Sequence, residues 1–104
     1  MEIMRFTEKI KMLRISNQLP QRKIAAALDI DTATYCKIEK GERKAKKEQV
    51  QQLELLYQVT TGTLLTLWLA DRVSDLVSNE DVAYNALSLA VEQYNTNNIE
   101  NQVQ

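Results

Sequence analysis

Residues 21–41 constrain this chain more than any other stretch. Residues 21–28 contain three consecutive alanines, which favour helix, and place Ile24 and Leu28 on one face. Asp29 and Ile30 interrupt the pattern. Asp31 is then a good N-cap for a second short helix over 32–40, because its carboxylate can accept from the open N–H groups of the first turn. Gly41 stands where a glycine stops such a helix in the left-handed conformation. Two helices this short bury little unless they pack on each other, which needs apolar residues at fixed offsets. Ile24, Leu28, Ile30, Tyr35 and Ile38 fill those places, and Ala25 permits the close approach. The result is a bihelical unit with a tight turn.

The rest of the chain also reads as helix. Phe6, Ile10 and Leu13, with Ile3 one turn earlier, form one stripe that ends at Ser16, Asn17 and Gln18. Pro20 can open the next helix. Val50, Leu53, Leu56 and Tyr57 predict a helix over about 47–58. Thr61 or Thr63 can cap a fifth helix, apolar nearly all round at first and narrowing to a stripe by Leu76 and Val77. Ser78 to Asp81 look like a capped restart, followed by a last stripe of Val82, Ala86, Leu89 or Ala90, and Tyr94. No segment alternates with period two. The expected class is all-α, with five helices plus a sixth. Residues 95–104 are polar and are expected to form a disordered tail.

The 104 residues carry a net charge of −1, but the sign is unevenly placed. Residues 1–47 sum to +6 and residues 48–104 to −7. A basic front suits a polyanion, and an acidic back suits another use. With no His and one Cys, Cys36, the chain lacks the residues for a disulfide scaffold, a zinc finger or His-based catalysis. Ser16, Ser74, Ser78 and Ser88 have no His to activate them, and Gly41 and Gly62 are too far apart for a phosphate loop. Asp71 with Asp75, and Glu80 with Asp81, read as solvated faces and caps. No enzyme, cofactor or metal is expected. The start lacks the apolar run of a signal peptide, and residues 64–70 are too short to span a bilayer, so the cytoplasm is the expected compartment.

With Leu19, Gln21, Ile24, Ala25, Leu28, Ile30, Ile38, Glu39 and Gly41 in place, residues 19–65 resemble the Cro and phage-repressor (XRE-type) helix-turn-helix family. With the first helix included, the resemblance covers about 3–69. It implies a five-helix, lambda-repressor-like DNA-binding bundle whose helix 32–40 enters the major groove of double-stranded DNA. It also implies that Thr32, Ala33 and Lys37 read bases, that Thr34 reads a base or touches phosphate, and that Gln21 bonds a phosphate. Arg22, Arg43, Lys44, Lys46 and Lys47 supply further phosphate contacts. Lysines at the start of a helix oppose its dipole, which is easier to understand if phosphate lies opposite. Arg14 and Glu39 match a family ion pair that ties the first helix to the third. Four departures stand out. Pro20 replaces a capping Thr or Ser, and Asp29 replaces a turn glycine. Tyr35 replaces an aliphatic residue, and the basic loop lacks a proline.

Such a domain usually binds as a dimer on two half-sites about 34 Å apart. Leu65, Trp68, Leu69, Val73, Leu76 and Val77 offer more apolar surface than one small bundle needs, with Trp68 as the anchor. The expected division is a DNA-binding domain over 1–69, a C-terminal helical extension for dimerisation over 70–94, and the tail. The sequence leaves open whether the sixth helix covers this surface within one chain. The leading reading is a transcriptional regulator, a repressor. The alternative is an antitoxin or interaction module whose acidic half binds a partner protein.

Overall fold

The computed structural model describes residues 4–103, with side chains for 4–98; Ile3 and Gln104 lie outside the described residues. Among these there are six helices and no strand. They are α1 (Phe6–Ser16), α2 (Gln21–Ala27), α3 (Thr32–Lys40), α4 (Lys47–Leu56), α5 (Thr63–Val77) and α6 (Ala83–Val103). The chain divides into two compact units, Met1–Arg72 and Val73–Gln104.

The core of the first unit draws on every one of its helices. Phe6 and Ile10 come from α1, Ile24, Ala25 and Leu28 from α2 and its end, and Tyr35 and Ile38 from α3. Val50 and Leu53 come from α4, Leu64 from α5, and Ala45 from the loop before α4. Leu13, Leu19, Ile30 and Tyr57 pack at its edge. Burying a side chain of this size stabilises by about 1.5–3 kcal/mol, which is how such short helices persist.

Helix ends depend on local chemistry. The Asp31 carboxylate accepts from Thr34 N–H at 2.6 Å. Gly41 closes α3 at φ 82°. Pro20 is the N-cap of α2 rather than its first helical residue, and no side chain caps that end. With only two glycines in the chain, other residues must take left-handed stops. Gln18, Asp29 and Gln58 do so at φ 55°, 58° and 54°, after α1, α2 and α4. Each gives up roughly 1 kcal/mol relative to glycine there.

Two caps come from other helices. Glu54, on α4 and buried, accepts from Gly62, Leu64 and Leu65 N–H at 2.9, 2.9 and 3.0 Å, so it supplies the N-terminal cap of α5 expected from Thr61 or Thr63. Asp71 accepts from Phe6 N–H at 3.0 Å and pairs with Arg5 at 3.6 Å. It is half-buried at the start of α1, not on a solvated face. Asp71 thus belongs to the first unit, which runs to Arg72.

The second unit comprises the end of α5 and α6. Ser78 Oγ donates back to Asp75 O at 3.2 Å instead of capping α6, which begins at Ala83. The segment expected as a disordered tail is helical as far as Val103. It contains neither Gly nor Pro, Asn98 Nδ2 donates to Tyr94 O at 2.8 Å, and extending a helix costs far less than starting one. Among the described residues no helix is long and apolar enough to cross a membrane.

Candidate nucleic-acid interface

The outer side of α3 is set by what its inner side buries. Tyr35, Ile38 and Glu39 face inward, which leaves Thr32, Ala33 and Lys37 exposed and Thr34 half-exposed. These four are the side chains expected to read bases. Cys36 is half-buried and Lys40 exposed. Thr34 N–H is taken by Asp31.

Behind this face a polar network ties three helices together. Arg14 Nε donates to Glu39 Oε2 at 2.9 Å and Nη2 to Oε1 at 2.7 Å, while Nη1 donates to Leu19 O at 3.1 Å. The pair is nearly closed to solvent, with Arg14 14% and Glu39 3% exposed in the side chain. All three guanidinium nitrogens are thus engaged inside the protein. Gln21 Nε2 donates to Glu39 Oε1 at 3.4 Å, and Cys36 Sγ donates to Gln21 Oε1 at 2.9 Å. The Gln21 amide is therefore held on two sides, its Nε2 by Glu39 and its Oε1 by Cys36. The buried Tyr35 and Tyr57 hydroxyls sense the Glu39 charge but make no hydrogen bond of good geometry. Burial, reinforced by Glu39, raises both phenols, Tyr57 to about 12.

Burial alone would raise the Glu39 carboxyl, but the bonds and charge of Arg14, together with the neighbouring Tyr35 and Gln21, outweigh it and hold it below its ordinary 4.5. The unfolded chain then takes up a proton more readily than the folded one as the pH drops. The stabilisation is complete above about pH 4.5 and disappears as the pH falls through the lower folded value. Acid titration of thermal stability should therefore show a loss below pH 4.5 that is shallower in Glu39→Gln. Parallel slopes would remove Glu39 as a source of the acid sensitivity.

Arg22, Arg43, Lys44, Lys46 and Lys47 are all exposed. The loop that carries Arg43, Lys44 and Lys46, with Lys47 opening α4, is attached to α3 where Lys37 O accepts from Glu42 and Arg43 N–H at 2.9 and 3.2 Å. At its far end Lys46 N–H donates to Gln49 Oε1 at 2.8 Å, half of a capping box for α4. The loop is therefore tied to α3 at their junction.

Of the six residues expected at a dimer interface, Leu65 and Trp68 are in good part used within the first unit. Both pack against its core, and the Trp68 indole Nε1–H donates to Ala45 O at 2.9 Å. Sequence reasoning missed this bond, although a lone apolar residue amid cations, Ala45, was a signal of an inward anchor. Leu69, Val73 and Leu76 are exposed and Val77 is half-buried. Among the described residues no group of three or more acidic, Cys or His side chains could hold a metal.

A family model described as helix-turn-helix matches residues 10–64, which run from the middle of α1 to the start of α5. The chain belongs to the helix-turn-helix family. The cryptic phage CTXphi transcriptional repressor RstR of Vibrio cholerae is 33% identical over 76 residues, which is 73% of this chain and 61% of the relative. The chain thus spans less than two thirds of that relative's length. The likeness places this helix-turn-helix chain with the Cro and phage-repressor proteins its sequence resembles. No solved structure matches it.

Proposed function

We propose that the chain is a sequence-specific DNA-binding transcriptional regulator, a repressor, that inserts α3 into the major groove as a homodimer. One observation carries the reading: Thr32, Ala33, Thr34 and Lys37 are open on a helix whose other face is locked by Tyr35, Ile38 and the Arg14–Glu39 pair. Thr can donate, accept or offer a methyl to thymine, Ala can touch that methyl, and Lys suits guanine O6 and N7. Gln21, Arg22, Arg43, Lys44, Lys46 and Lys47 would hold the phosphates. Selection of bound duplexes from a random pool tests this directly, because it returns both half-site and spacing.

Lys37→Ala should change the selected sequence and cost roughly tenfold in discrimination between operator and random duplex. Lys44→Ala and Lys46→Ala should weaken both duplexes alike and flatten the salt slope by about 0.9 for each phosphate left without its cation. Equal losses on both duplexes for Lys37→Ala would end its base-reading role.

The homodimer reading is supported by apolar exposure. Leu69 is 55% exposed in the first unit, and Leu76 79%, Leu89 54% and Tyr94 67% exposed in the second. Sedimentation at micromolar concentration should give a dimer, and a strictly monomeric species would contradict it. The exposed apolar residues of the second unit, within a half of net charge −7, would suit an antitoxin binding a basic partner. A co-purifying protein in place of a self-dimer would favour that reading.

A further inference from the structure

We propose that Trp68 is a positioning residue for DNA binding, holding the basic loop in the shape that offers Lys44 and Lys46 to phosphate. The proposal rests on the phosphate reading of that loop and adds the group that keeps it in place. Residues 42–46 have no regular structure between α3 and α4, and the neighbouring cations repel one another. Both ends are tied by the backbone bonds to Lys37 O and Gln49. The middle is held by Ala45, which is 5% exposed among the core residues and whose carbonyl receives the Trp68 indole N–H.

The bond serves both partners. An indole nitrogen can only donate and a buried carbonyl needs a donor, so each would be costly to leave alone. The ring itself cannot easily turn away. It packs against the core, and the Arg72 guanidinium carbon lies 4.8 Å from its centroid. With Ala45 drawn inward, its neighbours Lys44 and Lys46 are both exposed. A loop already held this way does not have to be ordered when phosphate arrives, so its charges act at full value.

Trp68→Phe keeps a ring against the core and beneath Arg72 and removes the N–H. Affinity should fall three- to tenfold on operator and random duplexes alike, with a flatter salt slope. In a Lys44→Ala/Lys46→Ala background the same change should cost far less, because the two lysines that Trp68 positions are then gone. A merely structural role would leave slope and affinity unchanged well below the melting temperature. Trp68→Tyr, which also keeps a ring and lacks the indole N–H, should show the same loss and keeps the test open if Trp68→Phe does not fold. Wild-type affinity and slope in Trp68→Phe, or in Trp68→Tyr where Trp68→Phe does not fold, with Lys44→Ala still impaired, would overturn the proposal and leave the loop reading intact. Wild-type binding by Lys44→Ala and Lys46→Ala would overturn both.

Discussion

Arg14→Ala should lower the unfolding free energy by about 4 kcal/mol, the range found when one partner of a buried ion pair is removed. The reason is what remains: Glu39 stays 3% exposed in its side chain and loses its two bonds to the guanidinium. The weak bond from Gln21 cannot replace them. Leu19 O loses its donor too. For a domain this small the melting temperature should drop by on the order of 20 °C. Arg14→Ala/Glu39→Gln should regain about half of that loss, since no unpaired charge is then left at that site. Thermal melts of the three variants decide it. A single variant within about 1 kcal/mol of wild type would mean the pair is far better hydrated than its burial implies.

Glu54→Ala should cost about 3 kcal/mol, because three N–H groups at the start of α5 lose one charged acceptor. Glu54→Gln keeps an oxygen in place and should recover part of the loss. Denaturant unfolding at neutral pH measures both. A negligible effect for Glu54→Ala would show that Thr61 or Thr63 can take over the cap.

The bihelical unit was legible because its determinants are local. The Asp31 cap, the Gly41 stop and the left-handed Asp29 each act within a few residues, and the apolar offsets of 24–38 leave one way to pack. The open face of α3 followed from the same offsets. What escaped was chemistry across large separations. Glu54 lies on the stripe of Val50, Leu53 and Tyr57, and Asp71 on that of Leu64 and Trp68. An acid on an apolar stripe hints at a buried partner, but only the fold brings α5 to α4 and Phe6 to Asp71. Trp68 was read as an interface anchor on residue type, while its donor had a use at Ala45, 23 residues away. The segment after Tyr94, expected as a tail from its polarity, is helical as far as Val103.

The bond from Phe6 N–H to Asp71 has a kinetic signature. Amides in the first turn of a helix ordinarily have no partner and trade their hydrogens with water freely. Here that amide is held by a residue 65 positions along the chain. Its deuterium uptake should therefore lag behind that of ordinary first-turn amides and keep time with the detachment of α5 from α1. One backbone hydrogen near the start of the chain would then act as a clock for the opening of the bundle.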